Sequence, residues 1–271
     1  MRPVKSIMDK TRKTKARPDR SSPLFVRSVE KALSFVFAFD GNNRKLLLSQ
    51  IAQIAQTDLS TAQRFTFSLE QLGILRKDPE TRLYEIGPQL LNLGYRYLHG
   101  NELIERATPV MLQLSKTTET NISLMVREDI DTIYIGRFQS RNFINPEIMV
   151  GARLPLFATA GGLALLAQLN QDEVDEVFAR STFEKITSFT EIDPAKIRER
   201  LELVRERGYA VAHQETSIGD ISVAAAIVDG DRSPIAALSI SASAMTISIA
   251  DAERQFAPLV MAAASSLSNR R

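Results

Sequence analysis

Residues 1–24 show no apolar periodicity. Lys10, Arg12, Lys13, Lys15, Arg17 and Arg20 dominate the segment, broken by Pro3, Pro18 and Pro23. This predicts a flexible basic arm. Periodicity begins at Ser28, a candidate N-cap: Val29, Leu33, Val36 and Phe37 recur near helical spacing until Asp40-Gly41-Asn42 ends the run. A second short helix is predicted over Ser49 to Gln56, with Ile51, Ala52 and Ala55 on one face. A third begins at Ser60, where Ser60 and Gln63 have the S-x-x-Q spacing of a capping box. Ala62, Phe65, Leu69 and Leu72 then form a stripe expected to be buried. Thr61, Gln63, Arg64, Phe67, Ser68 and Gln71 are left pointing elsewhere. Gly73 stops the helix, and Ile74–Lys77 and Arg82–Ile86 read as two short strands around Asp78-Pro79-Glu80-Thr81. Three short helices and a hairpin predict a winged helix-turn-helix over 25–87.

The apolar helical pattern from Pro88 to His99 predicts a linker helix over 88–100. Asn101 then caps a helix with Leu103, Ala107, Met111 and Leu114 near one face. The remainder, 101–271, alternates between strand and helix patterns. Strands are expected at Asn121–Arg127, Thr132–Phe138, Glu147–Val150, Tyr209–Glu215, Ile221–Val228 and Ile235–Ala242, and helices at Ala160–Leu169, Glu173–Arg180, Pro194–Arg207 and Ala250–Leu267. Short turns at Ile130-Asp131 and Asp229-Gly230-Asp231 favour an antiparallel sheet flanked by helices, the α+β class.

Composition narrows the chemistry. At 271 residues, 44% hydrophobic and 24% charged, the chain can bury a core without staples. It has no cysteine, which excludes disulfides, thiolate zinc sites, iron–sulfur clusters and cysteine nucleophiles. Any histidine metal site or Ser-His relay would depend on His99 or His213, the two histidines present. We expect no metal and no cofactor. No stretch approaches the roughly 18 apolar residues of a membrane helix, and no signal-peptide pattern follows the basic start. A cytoplasmic protein with no membrane partner is expected. The net charge of +2 hides an asymmetry. Residues 1–99 hold 17 Lys+Arg against 9 Asp+Glu, and the rest hold 17 against 23. A basic front half is the electrostatic footprint of a polyanion partner, nucleic acid above all.

The helix from Ser60 is the candidate reader of a DNA major groove, which displays a distinct hydrogen-bonding edge for each base pair. Ser60, Thr61, Gln63 and Arg64 lie at its start. Gln63 suits adenine, and Arg64 suits guanine or a phosphate. Arg76, Lys77 and Arg82 of the wing are placed for backbone phosphates, which fix register without reading sequence. Two alternatives stand beside this reading: Gln63 is occupied by capping, or the module binds a protein instead.

The back half lacks a G-x-S-x-G elbow, an H-E-x-x-H motif and a Walker A loop. Ala160 and Gly161 open a helix with small residues. This favours either a small anion at its N-terminus or simply close packing on the sheet. Ser239 and Ser241 share one strand face and would line a small polar pocket, unless they face solvent. His213 is a pocket candidate, with a structural role as the alternative. No Arg or Lys is evident in this pocket, which argues for a small organic acid, aldehyde, lactone or aromatic as ligand.

Several stretches resemble the IclR family of bacterial transcription regulators, named for the isocitrate lyase regulator. In the front half they are Ser28-Val29-Glu30-Lys31-Ala32-Leu33, Ser60-Thr61 with Arg64, Tyr84-Glu85-Ile86-Gly87 and Leu90-Leu91-Asn92-Leu93-Gly94. In the back half they are Val150 to Leu156, Ala158-Thr159-Ala160, Ala164 to Ala167, Arg205 to Ala210 and Ser239-Ile240-Ser241. The resemblance implies a winged helix-turn-helix, a linker helix and a GAF-like effector domain. It also implies homodimers or homotetramers on palindromic double-stranded operators, usually near catabolic genes. Family pocket positions carry over to Ala160, Gly161, Ser222, Ser239 and Ser241. The sequence departs from the family at Phe157, Leu163, Ser222, the run Ala212-His213-Gln214-Glu215 and the turn Gln56-Thr57-Asp58. The expected function is a ligand-responsive transcriptional regulator, a repressor rather than an activator. The competing readings are a metabolite-sensing module acting through a protein partner and an enzyme using the C-terminal domain.

Overall fold

The computed structural model describes residues 20–41, 43–140 and 148–268. The predicted basic arm therefore falls, through residue 19, outside the described residues, as does residue 147 of the strand expected at Glu147–Val150. The chain divides into two compact units with the boundary between Arg96 and Tyr97.

The first unit contains α1 (Arg27–Val36), α2 (Leu48–Ile54), α3 (Leu59–Gln71), β1 (Leu75–Lys77) and β2 (Tyr84–Ile86), and the boundary lies within α4 (Gln89–His99). Phe35, Leu46, Ile51, Ala62, Leu69 and Leu75 form its core, and the Phe35 and Phe65 rings stack at 5.1 Å. β1 and β2 pair antiparallel. The Leu46 and Tyr84 backbones exchange hydrogen bonds of 3.0 and 2.8 Å, which ties the segment before α2 to the hairpin. Gly73, at φ +71°, supplies the left-handed turn that ends α3, and the Ile74 N–H returns to the Leu69 carbonyl at 2.9 Å.

Three local expectations change. Ser28 lies inside α1, whose N-cap Val26 makes no side-chain bond. The Ser60–Gln63 capping box does not form, because α3 starts earlier and Asp58 is its cap. Leu72 is 68% exposed, and the buried stripe is instead Ala62, Thr66 and Leu69. Thr66 fits there because its hydroxyl donates to the Ala62 carbonyl at 2.8 Å.

The second unit runs through α5 (Glu102–Thr118), β3 (Asn121–Glu128), β4 (Asp131–Phe138), β5 (Arg153–Pro155), a 3-10 turn (Leu156–Ala158), α6 (Ala160–Leu166) and α7 (Gln171–Arg180). It continues with α8 (Pro194–Arg207), β6 (Ala210–His213), β7 (Asp220–Val228), β8 (Pro234–Ser243) and α9 (Ile249–Leu267). The six strands form one antiparallel sheet in the order β5-β4-β3-β8-β7-β6. This is the expected α+β architecture. Ile148–Val150 are not in a strand; the edge strand is β5, held by Arg153 Nε donating to Asp131 at 2.6 Å. α6 ends at Leu166, three residues short of the expected Leu169.

Period-two alternation decides which layer each side chain joins. Ile122, Leu124, Leu238, Ile240, Ile221 and Val223 pack with α5 and α9 on one face. Burying one such side chain contributes about 1.5–3 kcal/mol. On the other face, Met125, Tyr134, Ala237, Ala224 and Ala210 pack with α6, α7 and α8. The same face then turns polar along each strand, at Ser123 and Asn121 on β3, Ser239 and Ser241 on β8, and Ser222 and Asp220 on β7. That change of character leaves a polar hollow on the sheet.

Candidate functional site

In the first unit, α3 presents a polar stripe. Ser60, Gln63, Arg64 and Gln71 are exposed at helical spacing, with Phe67 among them at 59% exposure. Thr61 is only half exposed, and Asp58 holds it. The Thr61 N–H donates to Oδ1 at 2.8 Å and the Thr61 hydroxyl to Oδ2 at 2.6 Å. These two bonds, the hydroxyl's foremost, keep the Asp58 carboxyl below the usual carboxylate range. Gln63 is thus released from the capping role. Gln56, at φ +48°, turns the chain into α3 within the turn where the sequence departs from the family resemblance.

In the hairpin, Arg76 and Arg82 are exposed and Lys77 Nζ lies 5.0 Å above the centre of the Tyr84 ring. Arg82 sits at φ +61° at the tip. Asp78 Oδ1 accepts the N–H groups of Glu80 and Thr81 at 2.9 Å each, so the turn holding Arg82 is braced by its own carboxylate. Asp58→Ala is expected to speed amide exchange over the first turn of α3 about five-fold, the usual consequence of losing an N-cap. Hydrogen-exchange mass spectrometry on the full chain measures this, and an unchanged rate would show that the cap does not set the start of the helix.

In the second unit, a hollow, part of it open to solvent, lies on the polar half of the sheet face, against the start of α6. Ala160, Gly161, Ser222, Ser239 and Ser241 line it. His213 does not: its ring packs edge-on to Phe189 at 5.8 Å and its Nε2 meets the Gln214 amide at 3.1 Å. The start of α6 is committed to packing. Thr159 Oγ1 accepts the Gly162 N–H at 2.9 Å, and a Cβ on Gly162 would stand 2.1 Å from the Leu156 carbonyl oxygen. A Cβ on Gly161 would meet Met125 Sδ at 2.0 Å. Close approach, rather than an anion at the end of a seven-residue helix, explains these glycines.

The cavity also corrects the expectation that it holds no cation. Arg137 and Asp220 both line it, as does Tyr134. One Arg137 Nη donates to Ser123 Oγ at 3.2 Å, and burial pulls the guanidinium below its ordinary pKa. Asp220 is 8% exposed, and burial raises its carboxyl to about 6 against the lowering pull of the Ser222 hydroxyl and Arg137. Burial likewise drives the Tyr134 hydroxyl upward. Ser222 Oγ lies 2.6 Å from Asp220 Oδ2 and 2.8 Å from Ser241 Oγ. Arg137 and Asp220 sit at the ends of β4 and β7, on strands that read as apolar runs. Asp220 stands two residues before Ser222 on one strand, which marks it in the sequence, whereas Arg137 meets Ser123 only through strand pairing. Among the described residues no cluster of His, Asp or Glu could hold a metal ion, and no helix is long and apolar enough to cross a membrane.

Comparison with known proteins agrees with this architecture. The family model of the IclR helix-turn-helix domain matches residues 28–79, and that of the C-terminal domain of bacterial IclR transcriptional regulators matches residues 95–269. The Pca regulon regulatory protein of Pseudomonas putida is 29% identical over 246 residues, covering 90% of this chain and 84% of its own length. Transcriptional repressor IclR of Escherichia coli (strain K12) is 29% identical over 241 residues, covering 88% of each. The crystal structure of an IclR transcriptional regulator from Alicyclobacillus acidocaldarius aligns with a TM-score of 0.77 at 26% identity, covering 90% of this chain and 98% of that one. With both family models matched in order along nearly its whole length, the chain belongs to the IclR family of bacterial transcriptional regulators.

Proposed function

We propose that this regulator represses catabolic genes by binding a palindromic operator as a homodimer or a dimer of dimers, and that a small metabolite in the cavity of the second unit modulates that binding. The observation that carries the DNA half is the exposed stripe of Ser60, Gln63 and Arg64 on α3, in the same unit as the exposed cations Arg76 and Arg82. Thr61 contributes by fixing the first turn, and Lys77 adds charge to the wing. Self-association is supported by the apolar positions α1 leaves uncovered: Val26, Val29, Leu33 and Phe37 are all exposed at helical spacing. Two copies of α3 would then address two half-sites about one helical turn, or a multiple of it, apart. A metabolite that prefers one arrangement of the dimer shifts the DNA affinity by its differential affinity for the two states. The linker helix α4 is the lever in this reading. A DNA partner implies a cytoplasmic protein.

The cavity supports regulation rather than catalysis. Its serines have no histidine beside them, since His213 packs against Phe189 instead.

Selection of bound fragments from a random DNA pool, followed by anisotropy titration, tests the proposal. An inverted repeat is expected, with affinity falling steeply as salt rises because Lys and Arg displace counterions. A pool with no preferred sequence at moderate salt would refute it. A protein partner captured equally well by the wild type and by Arg64→Glu would favour the competing module.

A further inference from the structure

The polar half of the sheet face carries a buried carboxylate, Asp220, and a half-buried guanidinium, Arg137, and among the described residues neither has an ion-pair partner. Arg137 extends from β4 to Ser123 on β3, one strand nearer the sheet centre. Its Nε is buried and meets no acceptor among the described residues. Asp220 stands three strands away on β7, and its one bond from a side chain is the Ser222 hydroxyl. Buried charges left in this state are unfavourable.

The hydroxyls between them have a forced polarity. Each serine has one proton. An ionised Asp220 takes the Ser222 proton, so Ser222 Oγ can only accept at its 2.8 Å contact, and Ser241 must donate there. Ser241 is then left with lone pairs alone. The cavity therefore has a donor end at Arg137 and an acceptor end made by Asp220 and Ser241. A simple anion would satisfy the first and be repelled by the second.

We propose that the cavity takes a small acid with a second donor group, whose carboxylate meets Arg137 and whose hydroxyl donates to Asp220 or Ser241, or whose ammonium donates to both. This rests on the reading of the cavity as the effector site and goes beyond it by fixing the ligand's chemistry. The strand separation of the two charges, three spacings or about 14 Å less the reach of the side chains, calls for a donor several atoms from the carboxylate.

Calorimetric titration of the full chain tests this with two matched sets. One is propionate, 3-hydroxypropionate and β-alanine; the other is valerate, 5-hydroxyvalerate and 5-aminovalerate. The expected result is at least a ten-fold preference for a substituted acid over its plain counterpart in at least one set. Asp220→Asn should erase that preference, because the Asn amide can donate to Ser222 and reverse the hydroxyl chain. Arg137→Gln should weaken every acid at least ten-fold, and Arg137→Lys should recover part of the loss, which separates charge from misfolding. Plain and substituted acids binding equally, with binding abolished by the cavity-filling Ser239→Leu, overturns the proposal and leaves the cavity as the effector site. Binding that survives Ser239→Leu overturns both. No binding by any of the six compounds also overturns the proposal.

Discussion

Arg64→Glu is expected to weaken binding to the selected operator about 100-fold or more, while leaving the thermal unfolding of the protein unchanged. Arg64 is exposed on the outer face of α3, in the second turn after the Asp58 cap, so its side chain is free to reach a base edge or a phosphate. Loss of one bidentate base contact accounts for about 1–3 kcal/mol of discrimination, and the introduced carboxylate adds repulsion from the nearest phosphates. Anisotropy at several salt concentrations separates the two effects. The logarithmic salt slope should fall by about one or more if Arg64 meets a phosphate. If Arg64→Ala instead relaxes sequence preference at one position without changing the slope, Arg64 reads a base. Unchanged affinity in Arg64→Glu would remove α3 from the interface.

Asp220→Asn is expected to stabilise the ligand-free protein at neutral pH, and by progressively less as the pH falls. Burial raises the Asp220 carboxyl to about 6 in the folded state, while in the unfolded chain it titrates near its ordinary value of 3.8. The folded state therefore binds the proton more tightly. Its advantage is fully present below about pH 4, declines as pH rises through the window, and is gone above about pH 6. A rise of that size corresponds to roughly 3 kcal/mol. Asn keeps the size and a hydrogen bond to Ser222 without the buried charge. Calorimetric scans of the wild type and Asp220→Asn at pH 4 and pH 7.5 isolate this residue from the other titrating groups. The variant should gain only at the higher pH. A gain of equal size at both values would assign the effect to packing rather than ionisation.

The sequence was most legible where a single local rule governs. α8 runs over Pro194–Arg207 as its apolar spacing predicts, with Asp193 capping and Gly208 in the left-handed conformation at its end. β7 begins one residue before its predicted start and β8 extends one residue beyond its prediction at each end, since alternation and the Asp229-Gly230 turn both act over a few residues. Legibility fell where two rules competed. Asp58 and Ser60 are both good caps, and the choice between them depends on where the chain leaves Gln56. Thr66 reads as polar and Leu72 as apolar, yet the first is buried and the second exposed, because a threonine can satisfy its hydroxyl on its own helix.

The order of elements, the α+β class and the division of charge between a basic front and an acidic remainder were set by the sequence itself, because periodicity and composition are properties of neighbouring residues. So was the family, through motifs that keep their order along nearly the whole chain. Which charged groups join the expected serines in the cavity was decided by tertiary structure alone. Arg137, Met125, Ser239, Ser222 and Asp220 come from four strands, and strand pairing places them on one face. His213 was equally eligible in the sequence, but its ring is drawn to Phe189. Spatial neighbours on different strands interact through register and burial, and neither quantity exists until the sheet has formed.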